Sequence, residues 1–360
     1  MVERMRAAGG IMLGKTNTPT LGWIGATHNL LFGITRNPWN LERTPGGSSG
    51  GAAAAASAGL GPLHIGTDGG GSIRIPASCT GIVGFKPSWG RIPIYPPSPA
   101  WSLSHIGPMT RTVADAALLM GVSAGPDERD QYSLPAERMV DWTAAPRGSL
   151  KGLKIAYSDD LGFVEVLDPE VRAVCAGAVR AFRELGAAVD EVRPGWPSPH
   201  EPWEVIFRGG LATRLSPYLE RRDEIEPGLL RLVEDYLKLP PIRYVQAWLD
   251  RLAWWQHPRQ LFETYDLLVT PTIACPPFPV GLDNPTEVAG TPVSHYGWIP
   301  FTYAFNCTGQ PAASVPAGFT KDGLPIGLQI VGHRFDDVGV LRLSRAFEDL
   351  RGPQKPWPVL

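Results

Sequence analysis

Two glycine- and serine-rich segments near the start of the chain constrain its fold most. The first, GGSSGG, spans residues 46–51, and the second, TDGGGS, spans residues 67–72. An alanine-rich segment and the apolar residues 62–66 lie between them and predict a small helix followed by a strand. Glycine lets backbone N–H groups approach a ligand closely, and consecutive N–H groups in such a turn bind anions. The pattern predicts two loops that build one site, although a single segment of this kind is more often a turn or a linker.

Three familiar loop motifs do not fit these segments. A phosphate-binding P-loop needs Lys and then Ser or Thr after its last glycine, and here Gly71 is followed by Ser72 and Ile73. Residues 46–50 match G-x-S-x-G, but the preceding LERTP is not the hydrophobic strand that such an elbow follows. A dinucleotide fingerprint that starts at Gly59 has His64 in place of its third glycine.

The long stretch that contains both loops, residues 44–90, resembles the signature of the amidase signature family. Members of that family hydrolyse carboxamides with a Ser–cis-Ser–Lys triad. The resemblance implies that Ser72 is the nucleophile and that Ser48, reached through a cis Gly47–Ser48 peptide, is the bridging serine. It assigns the oxyanion hole to the backbone N–H groups of Gly69, Gly70, Gly71 and Ser72.

The implied chemistry is physically consistent. A serine hydroxyl is a poor nucleophile at neutral pH unless a neighbouring base takes its proton. A neutral lysine can be that base if burial lowers its pKa, and Ser48 would relay the proton.

The resemblance also implies that Gly22 and Ser49 contact the substrate. We expect Arg74 to anchor the second loop by pairing with a carboxylate, namely Asp68.

The lysine of the triad is the missing part of the pattern. The family places it further upstream than the residues before Ser48 allow, so the resemblance implies that the chain is N-terminally incomplete. Lys15 is the nearest candidate, in a different motif. We expect little amidase turnover without the upstream segment, whose absence would expose apolar surface or a sheet edge. Residues 10–14 predict a short buried strand.

The rest of the chain predicts one α/β domain over residues 1–360, with residues 125–148 as a surface connection between its halves. A strand at 153–157, a helix at 169–185 and a strand from 187 follow one another, and Thr112 is a plausible N-cap of a helix over 112–123. We expect a mixed, mostly parallel twisted sheet covered by helices on both faces. Residues 265–272, 305–312 and 322–329 also resemble the family, whose fold this is.

Composition excludes several classes of function. The chain has 360 residues, 43% of them hydrophobic, and a net charge of −2 without a dense basic stripe, so we expect no nucleic-acid partner. Its four cysteines are scattered and its histidines form no closely spaced pair, so we expect buried free thiols, no metal and no cofactor. No apolar run approaches about 20 residues, which predicts no membrane partner and a cytoplasmic protein.

The sequence therefore predicts an amidase that hydrolyses a small carboxamide to a carboxylic acid and an amine or ammonia through a serine acyl-enzyme. Two alternatives stay open: an amidotransferase A-type subunit that works with partner subunits, and a non-catalytic amidase-like binding protein. The identity of the amide is also open, as is the oligomeric state, for which a homodimer is one option. Tryptophans of the helical region 199–264 are expected to be mainly core residues. The family resemblance nevertheless implies that this region shapes the acyl pocket, and Trp23 and Trp298 are further candidate pocket residues.

Overall fold

The computed structural model describes residues 1–135, 141–144, 149–352 and 357–358. Its β-strands are β1 (His28–Asn29), β2 (Gly33–Ile34), β3 (Leu63–Asp68), β4 (Val83–Lys86), β5 (His105–Thr110), β6 (Lys154–Tyr157), β7 (Ala188–Glu191), β8 (Leu267–Pro271), β9 (Glu287–Val288), β10 (Thr291–Pro292), β11 (Ala312–Phe319) and β12 (Pro325–Gly332). Its α-helices are α1 (Val2–Ala7), α2 (Gly50–Ser57), α3 (Arg74–Thr80), α4 (Val113–Ser123), α5 (Pro169–Glu184), α6 (His200–Leu215), α7 (Pro227–Leu237), α8 (Pro241–Trp254), α9 (Gln256–Leu261), α10 (Pro300–Thr308) and α11 (Asp337–Arg351).

Eight strands form one sheet in the order β3-β5-β4-β11-β12-β8-β6-β7. The sheet is mixed, as predicted, but its strand directions differ from the expectation of a mostly parallel sheet. Only β6 pairs in parallel, with β7 and with β8, whereas the other neighbours in the sheet are antiparallel. The parallel β6–β7 pair is joined through α5, whereas β11 and β12 are joined by a short hairpin, which only antiparallel strands permit.

Helices cover both faces of the sheet, as predicted. A Cβ atom at Gly327 of β12 would meet Ser78 of α3, and one at Gly332 would meet Val340 of α11. Residues an odd number of positions apart on a strand point to opposite faces, so α3 and α11 lie on opposite sides. Every residue of β8 and β12 is buried, as expected for central strands covered on both faces.

Local sequence signals place several elements correctly. Thr112 caps α4 by accepting a hydrogen bond from the backbone N–H of Asp115. Helix α5 starts at Pro169, buries the expected apolar side and is followed by Gly186 with φ +88°. All four cysteines are buried free thiols, as expected.

The prediction of a buried strand at residues 10–14 is wrong. This segment is neither helix nor strand, and Ile11 is 87% exposed. An apolar run becomes a strand only where a neighbour pairs with its backbone, and here the N–H of Gly10 turns back to the carbonyl of Met5. The apolar Leu31 and Phe32, between β1 and β2, are also exposed.

The predicted connection at 125–148 falls partly on residues 136–140 and 145–148, which lie outside the described residues. Its described residues contain neither helix nor strand and lie mostly at the surface, with Trp142 buried. In the part of the chain that the structure describes, no helix is both long and apolar enough to cross a bilayer.

Candidate active site

The two glycine- and serine-rich segments meet in space. The first leads into α2, and the second connects β3 to α3. The backbone N–H of Ser49 donates to the carbonyl of Ser72 at 3.2 Å, and the Ser49 hydroxyl bonds to both backbone groups of Thr67. The Gly47–Ser48 peptide is cis. Ser49 therefore joins the two loops, and its hydroxyl is occupied by this contact.

A cavity of about 170 Å³ opens between the loops. Ser48, Ser72, Gly69, Asp68 and Gly22 all contribute to its lining, so the structure brings these predicted residues together. A cavity of about 150 Å³ in another protein binds benzene, so this one has room for a small ligand or for one end of a larger one.

Ser48 is nearly buried, at 4% exposure, whereas Ser72 is half-buried and faces the cavity. Gly22 approaches Ser48 closely, because a Cβ atom there would lie 3.3 Å from the Ser48 hydroxyl oxygen. Gly22 also has φ +72°, a conformation that favours glycine. The Ser48 hydroxyl is therefore enclosed by backbone on the Gly22 side.

Asp68 and Arg74 anchor the second loop in the way expected from the sequence. Arg74 donates from Nε and from one terminal nitrogen to the two carboxylate oxygens of Asp68, both at 3.0 Å. The same carboxylate accepts the backbone N–H groups of Gly71 and Ile73. Both side chains are fully buried, so the loop is closed around a desolvated ion pair.

Arg74 also connects the loop to the C-terminal part of the fold. Its guanidinium donates to the Thr302 carbonyl and to the side-chain oxygens of Asn306 and Gln329. Burial alone would raise the pKa of Asp68, but the charge and hydrogen bonds of Arg74 outweigh it and hold that pKa well below its usual value. Asp68 is therefore ionised throughout the neutral range.

The four predicted oxyanion donors are not equivalent. The N–H of Gly71 donates to Asp68 at 2.7 Å, so it is already committed to a carboxylate. The carbonyls of Gly69 and Gly70 accept hydrogen bonds from the Trp203 indole and the Thr302 hydroxyl. These contacts fix the peptide planes on either side of Gly70 and leave Gly69, Gly70 and Ser72 as the candidate donors.

One face of α6 forms a wall of the cavity, within the region 199–264 that the family resemblance links to the acyl pocket, although the sequence did not indicate which of its side chains would line it. Phe207, Gly210, Leu211 and Arg214 line the cavity, and they recur at helical spacing. A Cβ atom at Gly69 would lie 3.4 Å from the Phe207 ring. The helical spacing of these residues was the available sequence signal for a shared face. Spacing alone, however, does not show whether that face lines a pocket or packs in the core.

His105, at the start of β5, is a second cavity residue that sequence analysis missed. Its Nδ1 lies 2.9 Å from the Leu103 carbonyl oxygen, and because carbonyls only accept, Nδ1 carries the proton. Its Nε2 is buried without a hydrogen-bond partner in the described structure. Burial, followed by the charge of Lys86, lowers the pKa of His105 well below its usual value, so the imidazole is neutral.

Lys86 is a fully buried lysine at the end of β4, and its side-chain nitrogen donates to the Gln310 carbonyl. Burial, with the charge of Arg74 as the next cause, lowers its pKa well below the usual value. No lysine in the described ranges lines the cavity, and Lys15 is exposed. Within those ranges, His, Cys, Asp and Glu side chains form no group of three that could hold a metal ion.

The distribution of the tryptophans between core and cavity differs from the expectation. Trp23 and Trp298, expected as candidate pocket residues, are buried in the core and do not line the cavity. Trp203, expected to be a core residue, is buried but also bonds to the second loop. It stacks between Phe207 and Tyr303, with ring centroids 5.1 and 4.9 Å away.

The chain is similar to known proteins over most of its length. The model of the amidase family matches residues 1–341. The chain is 42% identical over 363 residues to an acylamidase of Rhodococcus erythropolis, covering 99% of this chain and 75% of that protein. It is 36% identical over 382 residues to the A-type subunit of the glutamyl-tRNA(Gln) amidotransferase of Thermodesulfovibrio yellowstonii, covering 97% of this chain and 76% of that protein.

Solved structures show the same relationship. The crystal structure of a bacterial aryl acylamidase of the amidase signature family superposes with a TM-score of 0.90 at 36% identity, covering 97% of this chain and 74% of that one. A 6-aminohexanoate cyclic dimer hydrolase superposes with a TM-score of 0.88 at 31% identity, covering 97% of this chain and 77% of the other. The chain therefore belongs to the amidase family of amide hydrolases.

Proposed function

We propose that the chain hydrolyses a small carboxamide and that Ser72 is the nucleophile. The observation that carries this proposal is that Ser48 and Ser72, from two different loops, line one cavity beside Gly69. The Ser72 oxygen attacks the amide carbonyl and forms an ester bond, while its proton passes to Ser48. The C–N bond then breaks, the amine leaves with a proton, and water hydrolyses the ester to the carboxylic acid.

Two features of the site support this chemistry, and the base is assigned by resemblance alone. The N–H groups of Gly69, Gly70 and Ser72 are candidates to stabilise the oxyanion, a contribution of about 100- to 1,000-fold per donor in other enzymes. The Asp68–Arg74 pair holds the loop from behind, and neither group is available to the substrate. The base that takes the proton from Ser48 is, by the family resemblance, a lysine.

The proposed nucleophile can be tested by covalent labelling. A fluorophosphonate probe forms a P–O bond with an activated serine and loses fluoride. Mass spectrometry of tryptic peptides should locate the adduct on Ser72, and the variant Ser72→Ala should not be labelled. Release of aniline from acetanilide then tests amide hydrolysis itself. Labelling of a different residue, or unchanged labelling of Ser72→Ala, would refute the assignment.

The similarity to the A-type subunit of an amidotransferase supports a second candidate. In that case the chain releases ammonia from an amide for use by partner subunits. Co-purification from its native source separates the two functions. A chain that purifies alone and hydrolyses acetanilide supports the amidase, whereas a stable complex with further subunits supports the amidotransferase.

A further inference from the structure

A second cavity, of about 370 Å³, lies directly beside the catalytic one. The two cavities share the lining residues Ile94, Ser98 and Pro99. The second cavity is the larger of the pair and falls within the usual size range of small-molecule sites. None of the residues assigned to amide hydrolysis lines it.

Aromatic rings form one wall of this cavity. Tyr132 lies between two indoles, with ring centroids 5.4 Å from Trp89 and 5.2 Å from Trp101. Trp101 packs in turn against Trp248. Trp89, Tyr132 and Trp101 therefore form one aromatic cluster along this cavity.

Trp101 is held in an unusual state for so large a side chain. It is 48% exposed, and its backbone has φ +44°, in the left-handed region that bulky residues rarely adopt. Such a conformation persists only where the surroundings enforce it, and it is concentrated at ligand sites. An exposed indole kept in this conformation points to a binding function beyond packing.

The cavity also contains a carboxylate without a cationic partner. Asp130 lines it, and its oxygens accept backbone N–H groups of Ile94 at 2.9 Å and Tyr132 at 3.0 Å. The neighbouring Arg129 is committed elsewhere, because it pairs with Glu3 and Asp127. Among the described residues, Asp130 is therefore a fixed negative charge that no cationic side chain neutralises.

We propose that this second cavity binds an organic cation, an ammonium group with apolar substituents. The faces of Trp89, Trp101 and Tyr132 attract such a cation through their ring quadrupoles, and Asp130 supplies the opposite charge. A hydrated metal ion is a poorer match, because one carboxylate and three rings offer it few lone pairs. The site does not require that Ser72 be active.

The test compares two ligands of the same shape on the unmodified protein. Choline and its uncharged analogue 3,3-dimethylbutan-1-ol differ in the charge of one central atom. Isothermal titration calorimetry should show saturable binding of choline. The affinity for the neutral alcohol should be lower than that for choline by about 10-fold or more. Equal affinity for both ligands, or no saturable binding of choline, would overturn the proposal.

Variants locate the bound cation. Trp101→Leu and Asp130→Asn should each weaken choline binding about 10-fold, whereas the exposed Asp223→Asn should leave it unchanged. The carboxylate of Asp130 also holds its own loop, so near-ultraviolet circular dichroism should confirm that each variant is folded. Choline binding that survives both Trp101→Leu and Asp130→Asn would place the cation elsewhere and reject this site.

Discussion

Ser49 and Ser72 are joined through their backbones, since the N–H of Ser49 donates to the carbonyl of Ser72 at 3.2 Å. This bond ties the residue after Ser48, the proposed bridging serine, to Ser72, the proposed nucleophile. The two loops therefore fix each other's geometry. A substitution in either loop should change the positions of both Ser48 and Ser72.

The bridging role of Ser48 predicts a large kinetic effect from a small change. Ser48→Ala removes the proposed proton relay, and positioned acid–base groups contribute about 100- to 10,000-fold, so fluorophosphonate labelling of Ser72 should slow by at least about 100-fold. Ser123→Ala is the matched control, because Ser123 is buried and its hydroxyl has no hydrogen-bond partner among the described residues. Equal labelling rates in Ser48→Ala and Ser123→Ala would exclude the relay.

Gly71 should not tolerate a side chain. It has φ +134°, and an added Cβ atom would lie 2.5 Å from the Thr302 hydroxyl oxygen. We expect Gly71→Ala to lower the free energy of unfolding by about 2–4 kcal/mol, from backbone strain and overpacking together, and to slow labelling of Ser72.

The control for that substitution is Gly323→Ala. Gly323 also has positive φ, at +79°, but an added Cβ atom there would have no neighbour within 4 Å. We expect a loss of about 1–2 kcal/mol from backbone strain alone, with labelling unchanged. Urea unfolding of both variants measures the difference, and equal losses would show that the contact with Thr302 is unimportant.

Removal of Arg74 should be among the most damaging single changes. Arg74→Met leaves the Asp68 carboxylate buried without its counter-ion, and breaking a buried pair from one side costs about 3–5 kcal/mol. Arg221→Met breaks an exposed pair with Glu224 and should leave the unfolding free energy nearly unchanged. Urea unfolding checks both, and similar small losses would mean that Asp68 is solvated when Arg74 is absent.

Lys86 should make stability depend on pH. Its pKa is lower in the folded protein than the usual 10.5, so the unfolded chain binds more protons between those two values. Stability should therefore rise with pH in that window, by up to about 1.4 kcal/mol per pH unit.

The variant Lys86→Met should lack this pH-dependent contribution to stability. The quantity to measure is the difference in unfolding free energy between the wild type and the variant at several pH values from neutral up to about 10, just below the usual lysine pKa, because other titrating groups cancel in it. Lys151→Met, at an exposed lysine, is the control and should give a difference that does not change with pH. A difference that is equally constant for Lys86→Met would contradict the lowered pKa.

Local patterns were sufficient to predict the two loops and the pairing of Arg74 with Asp68, because these residues are within a few positions of one another. They did not reveal Phe207, Leu211 or His105 as cavity residues. These side chains come from α6 and β5, and nothing in their own neighbourhoods indicates that the chain brings them to Ser72.

Strand direction shows a similar limit. The succession of β6, α5 and β7 predicts a parallel pair, and the structure has one there. The burial patterns of β11 and β12 do not indicate whether the two strands are parallel or antiparallel. A buried strand has the same apolar content whichever way its neighbours run. The exposed residues 10–14 show the converse, since an apolar run without a pairing partner is not a strand.

The contacts of Arg74 also have a consequence for the order of folding during synthesis. Its partners Thr302 and Gln329 lie 228 and 255 residues further along the chain. At ribosomal rates of about 5–20 residues per second, the serine loops leave the ribosome roughly 10 to 50 seconds before these partners are synthesised. The nascent polypeptide therefore carries both serines before the residues that hold Arg74 on its other side exist, and the second loop gains these contacts only after residue 329 has been synthesised.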